Sequence, residues 1–157
     1  MYFLLALVAI PLALLSYAVV IGRRNFQLRT LRIDLGLEKP IRVLHISDLH
    51  FRAGQQKKVR FLKKISSINP DLVINTGDNL GGVDQEEATV EAIRPLLSLP
   101  GGFVFGGNDY RGPVFKNPLG YLTKPSGKKS SPKLDSEKLS QLMDSWINLN
   151  NSSGSLD

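Results

Sequence analysis

The chain has 157 residues, 42% of them hydrophobic and 22% charged, with a formal net charge of +6. That is enough apolar material for one folded domain and a short appendage, and it excludes a disordered chain. Without cysteine, disulfides and thiolate metal sites drop out, and with only two histidines any imidazole chemistry falls on His45 or His50.

Residues 2–22 are uncharged and apolar over about the 20 residues that a helix needs to cross a bilayer. Pro11 and Ser16 are tolerable inside such a helix. An uncleaved transmembrane anchor over 1–22 is expected rather than a signal peptide, because no basic segment precedes the run and no small-residue cleavage site follows it. Arg23, Arg24, Arg29 and Arg32 come next. By the positive-inside rule they leave the main domain on the cytoplasmic side of the cell membrane, with a single pass.

Within the basic juxtamembrane segment 23–40, residues 26–35 alternate in polarity, the pattern of a strand with one buried face. Residues 41–46 read as a second strand, opened by Pro40. Residues 55–68 carry Val59, Phe61, Leu62, Ile65 and Ile68 at helical spacing, until Pro70 and Asp71 break the pattern. Residues 72–75 form a short apolar strand of the kind buried in parallel sheets. Residues 84–98 form a second helix with acidic residues in its first turn, and 103–105 another short strand. Strands alternating with helices imply βαβ units in a mainly parallel α/β sheet.

Residues 111–132 are rich in proline, glycine and lysine and read as a long loop. Its charges at Arg111, Lys116, Lys124, Lys128 and Lys129 continue to Lys133 with no acidic residue among them. Together with the arginine cluster they point to anionic partners such as membrane lipid or a phosphate, with a solvated linker as the plain alternative. Nothing in the pattern calls for nucleic acid. Residues 135–146 return to helical spacing, with Leu139, Leu142, Met143 and Trp146 on one stripe.

Polar clusters follow the apolar strands. Asp48-Leu49-His50 follows the strand 41–46, Gly77-Asp78-Asn79 follows 72–75, and Gly107-Asn108-Asp109 follows 103–105. In an open α/β sheet the carboxyl ends of neighbouring strands meet at one crevice, so unrelated stretches deliver Asp, His, Asp and Asn to one place. Asp48 and His50, two apart at a strand end, can point the same way. A carboxylate beside an imidazole suits Mn, Fe or Zn better than Ca or Mg. His45 lies within the strand and reads as an ordinary hydrogen-bonded residue. Asn79 and Asp109 read as turn formers.

These motifs, in this order and within HISDLHF, PDLVINTGDN and FVFGGNDY, resemble the first three signatures of the calcineurin-like metallophosphoesterases over residues 41–110. Membrane-anchored bacterial members share an apolar N-terminus. The resemblance implies an αββα sandwich preceded by one transmembrane helix, of which 41–157 would be a partial, C-terminally truncated front half. It also implies hydrolysis of a phosphate mono- or diester, membrane-proximal or lipid-linked, with two divalent ions in the complete domain. Asp48 and His50 would bind the first ion, Asp78 would bridge, and Asn108 would bind the second, with the Gly77 and Gly107 amides at the phosphate.

The family's third motif normally reads Gly-Asn-His-Asp or Gly-Asn-His-Glu, and this chain reads Gly106-Gly107-Asn108-Asp109. In one register Asp109 stands where the leaving-group acid would be. In the other Asn108 does, and Gly107 replaces the ligand. The family's later histidines have no counterpart in this sequence, so at most one ion is expected here. An uncovered apolar sheet face should accompany the missing half. The competing reading is a non-enzymatic membrane protein with residual metal or phosphate binding.

Overall fold

The structure, a computed structural model, describes residues 2–21, 25–114 and 131–155. Arg23, Arg24, Lys116, Lys124, Lys128 and Lys129 lie outside the described residues. The chain divides into two units, Met1–Gly36 and Leu37–Asp157.

In the first unit α1 (Tyr2–Val20) is a charge-free helix of 19 residues with Pro11 inside it. Leu7, Ile10, Leu14 and Tyr17 are exposed. No helix among the described residues is long and apolar enough to cross a membrane. The transmembrane helix expected over 2–22 is therefore not supported: the helix runs from Tyr2 to Val20. Residues 26–35 form no strand either. Alternation supplies one apolar face but not a ladder partner, and Leu31, Ile33 and Leu35 stay exposed.

In the second unit β1 (Val43–Ile46), β2 (Leu72–Asn75), β3 (Gly101–Phe103) and β4 (Ile147–Asn148) pair in that order, all parallel. α2 (Gln56–Ser66) and α3 (Glu86–Leu97) make the first two crossovers. A one-turn α4 (Gly107–Tyr110) and α5 (Ser136–Leu142) lie on the third connection. Right-handed crossovers repeated in one direction put their helices on one face of the sheet. α2 accordingly packs on α3, and α3 on α5. Asn69 in left-handed backbone (φ 51) followed by Pro70 stops α2.

Leu44, Ile46, Val73 and Phe103 point from the strands into the helical layer, where Leu62, Ile65, Ile93, Leu96, Leu139, Met143 and Trp146 are buried. The alternate strand residues face the other way. Val43 is 53% exposed, His45 is exposed, and Leu72 and Ile74 are half-buried. Among the described residues that face has no helical layer.

The third strand begins and ends two residues earlier than the apolar run suggested. Gly101 belongs to it because the Trp146 indole packs there; a Cβ would lie 2.5 Å from the indole nitrogen. The ladder ends beyond Val104, because the Phe105 N–H turns to the Asn150 side-chain oxygen at 2.8 Å. β4 gave no sequence signal, being two residues long, and the last helix ends at Leu142 rather than reaching Trp146.

Candidate metal centre

The site forms where β1 and β2 stop. Beyond Ile46 the two chains stay zipped by irregular backbone bonds: Asp48 N–H to Gly77 O at 2.9 Å, His50 N–H to Asp78 O at 2.9 Å, and Phe51 N–H to Asn79 O at 2.7 Å. From α2 the Lys58 ammonium donates to Leu49 O. Held at both edges, the loop places Asp48 (φ 54), His50 (φ 39) and Asp78 (φ 56) in left-handed backbone. Such conformations cost a non-glycine residue about 1 kcal/mol or more and persist where surrounding structure over-determines them. Asp48 and His50 therefore share a side through left-handed backbone at each of them, not through the strand alternation the sequence suggested.

His50 Nε2 lies 3.6 Å from Asp48 Oδ1 and 3.9 Å from Asp78 Oδ2. One ligand atom from each residue falls within 4.8 Å of the others. Two donors on one ion with bonds of about 2.1 Å sit roughly 3.0 to 4.2 Å apart for angles from right to straight, so both pairings fit a shared divalent ion. Two carboxylates and one imidazole are also the donor chemistry of Mn, Fe and Zn. Ser47 Oγ donates to Asp48 Oδ2 at 2.5 Å, which orients that carboxylate.

The loop after β3 closes the other side. Asn108 donates its backbone N–H to Asp78 Oδ1 at 2.9 Å and its side-chain amide to Asp78 Oδ2 at 2.7 Å. The sequence placed Asn108 as an oxygen ligand, and the structure brings it to Asp78 through its nitrogens. Asp109 is fully buried. Its Oδ1 accepts from Asn79 N–H (2.7 Å) and Leu80 N–H (3.0 Å), and its Oδ2 from Gly106 N–H (3.0 Å) and the Asn79 amide (3.2 Å). Burial pushes the Asp109 carboxyl up from its ordinary value of 3.8, while the Gly106, Leu80 and Asn79 donors pull it back. Asp109 clasps the second and third motif loops together, and no oxygen of it is left without a donor.

The glycines divide differently from the sequence expectation. Gly77 (φ 91) sits against the third loop, where a Cβ would be 2.2 Å from Gly106 N. Its own N–H is committed to Asn75 Oδ1 at 2.9 Å. At Gly106 a Cβ would lie 2.1 Å from Asp78 Oδ1, whereas at Gly107 nothing lies within 4 Å. Gly106 is thus the close-approach residue. Asn75, buried at the end of β2, links Gly77 to Asn79 through its own amide at 2.8 Å. Sequence reasoning passed over Asn75 and Ser47 and left open whether Gly106 or Gly107 is the motif glycine. The Gly-Gly doublet and a lone Asn closing an apolar strand were the signals. His45, outside this cluster, bonds Thr76 Oγ1 at 2.8 Å.

A family model described as calcineurin-like phosphoesterase matches residues 41–154. No curated protein and no solved structure gives a significant match.

Proposed function

The chain belongs to the calcineurin-like phosphoesterase family, and from that premise we propose that residues 41–154 act as a metal-dependent phosphoesterase centred on Asp48, His50 and Asp78. The observation that carries the reading is the convergence of these donors within 4.8 Å, each on a residue in left-handed backbone. Asp48 and His50 hold the ion from one loop and Asp78 from the next, with Ser47 and Asn108 orienting the carboxylates. When bound, a divalent ion would supply Lewis-acid polarisation of a phosphoryl oxygen.

The close approach of Gly106 to Asp78 supports the register in which Gly106 is the motif glycine. Gly107 then stands at the usual ligand position and Asn108 at the usual histidine. An amide releases no proton, and the Asp109 oxygens are occupied. Leaving-group protonation therefore falls to solvent, and phosphate esters of acidic alcohols or phenols are the favoured substrates. The same observation supports the second reading, a family member that binds metal and phosphate without turnover.

The αββα sandwich, with a second layer on the Val43 and His45 face, is part of this proposal, as is a cell-membrane location with the domain cytoplasmic and a lipid-linked or membrane-proximal substrate. The location is supported by the uncharged α1 with its exposed apolar side chains. The deciding experiment is Mn- or Zn-dependent hydrolysis of bis(p-nitrophenyl) phosphate by the wild type, Asp48→Ala and Asp78→Ala. Metal-dependent release lost in both variants supports the enzyme. Metal binding without release supports the binding reading, and metal-dependent release at equal rates in all three proteins contradicts both.

A further inference from the structure

α2 carries Lys57, Lys58, Arg60, Lys63 and Lys64 and no acidic residue, a charge excess that the metal centre does not use. Lys58 turns inward to Leu49 O. Lys57, Arg60, Lys63 and Lys64 are exposed. At 3.6 residues per turn these four occupy an arc of about 120°, opposite the buried Leu62 and Ile65.

Among the described residues no carboxylate pairs with any of the four; the ion pairs belong to Arg42, His50, Arg94 and Lys138. Asp71, the first acid after the helix, is taken by Arg42. α3 shows the contrast. Its Glu91 pairs with Arg94 and its Glu87 with Lys138, the mixed-sign surface expected of a merely solvated helix. α2 instead presents a single-sign stripe, and just past its end Ile68 stays 42% exposed.

We propose that this face of α2 docks on an anionic lipid surface, with Lys57, Arg60, Lys63 and Lys64 against headgroup phosphates. A basic stripe with an apolar residue at its end suits the headgroup boundary. Single-stranded nucleic acid would want stacking aromatics, but Phe61, the one aromatic of α2, packs against the core. The same chain also exposes the apolar side chains of α1, which calls for an apolar phase nearby. The inference is independent of catalysis.

The test uses the full chain. It has no cysteine, so Ser67→Cys, exposed just beyond α2, accepts one fluorophore. The labelled protein is mixed with vesicles of phosphatidylcholine, or of phosphatidylcholine with phosphatidylglycerol, both carrying a headgroup-linked quencher. α1 is uncharged, so its contribution is common to both vesicle types.

Quenching is expected to be stronger on the anionic vesicles, and raising salt from about 0.1 M to 1 M should abolish that excess as the Debye length falls. The variant Lys57→Gln/Arg60→Gln/Lys63→Gln/Lys64→Gln should need at least about tenfold more anionic lipid for the same quenching, since each charge near the surface contributes about fivefold. Equal quenching on both vesicle types, or a variant that behaves like wild type, overturns the proposal. So does a duplex oligonucleotide that competes with the anionic vesicles for the labelled face, because the stripe would then read polyanions in general.

Discussion

Adjacent glycines in the third motif loop should differ sharply on substitution. A Cβ at Gly106 would lie 2.1 Å from Asp78 Oδ1 and 2.7 Å from Asp78 N, both well inside ordinary van der Waals contact at about 3.5 Å. The backbone at Gly106 is extended (φ −94, ψ 178), so the cost is steric and not torsional. Overpacking of this kind costs about 1–3 kcal/mol. Moving Asp78 to relieve it also weakens the 2.9 Å bond from Asn108 N–H, a bond to a charged acceptor that is worth about 1.5–3 kcal/mol. Gly106→Ala should therefore lose roughly 3–5 kcal/mol, while Gly107→Ala, with nothing within 4 Å, should stay within about 0.5 kcal/mol. Urea unfolding reads the difference as a midpoint shift of one to several molar, for a slope of about 1–3 kcal/mol per molar. Equal midpoints for the two alanine variants, or a larger loss at Gly107, would refute the packing described for this loop.

Asp109→Asn should destabilise the domain by about 1–3 kcal/mol, because an amide NH2 then faces N–H donors. Since the folded carboxyl is raised above its ordinary 3.8, its contribution is fully present below that value and is lost as pH rises through the folded pKa. The variant's deficit should thus shrink as pH rises, and a deficit that grows with pH would contradict it. Rates on a series of aryl phosphodiesters should fall steeply with leaving-group pKa, whereas a flat dependence would mean that some residue delivers the proton. The full chain should sediment with the membrane fraction of expressing cells, and full recovery in the soluble fraction would remove the support for a membrane location.

The core of the α/β pattern was legible because two periodicities were clean. Leu62 and Ile65 recur at helical spacing and Val73 sits in a short apolar run, so α2 and β2 were identifiable within a few residues. Alternation over 26–35 misled because strand formation depends on a ladder partner that no local pattern encodes. β4 was invisible for the converse reason: Ile147 and Asn148 pair with β3 without any periodic run. In the site, the ligand types were legible from the Asp-x-His and Gly-Asp-Asn signatures. The left-handed backbone at Asp48, His50 and Asp78 was not, since it is imposed by the bonds between the two loops. Nor could the sequence separate Gly106 from Gly107, which differ only in what a side chain would meet across the loop.

The central claim is that Asp48, His50 and Asp78 hold a divalent ion. Titrating the full chain with Mn, with free ion followed by electron paramagnetic resonance, tests it without any substrate. Saturable loss of the free-ion signal is expected for the wild type and for Gly107→Ala, and its disappearance in Asp48→Ala, His50→Ala and Asp78→Ala. An affinity unchanged by Asp78→Ala, with the variant still folded, would contradict the assignment of the site.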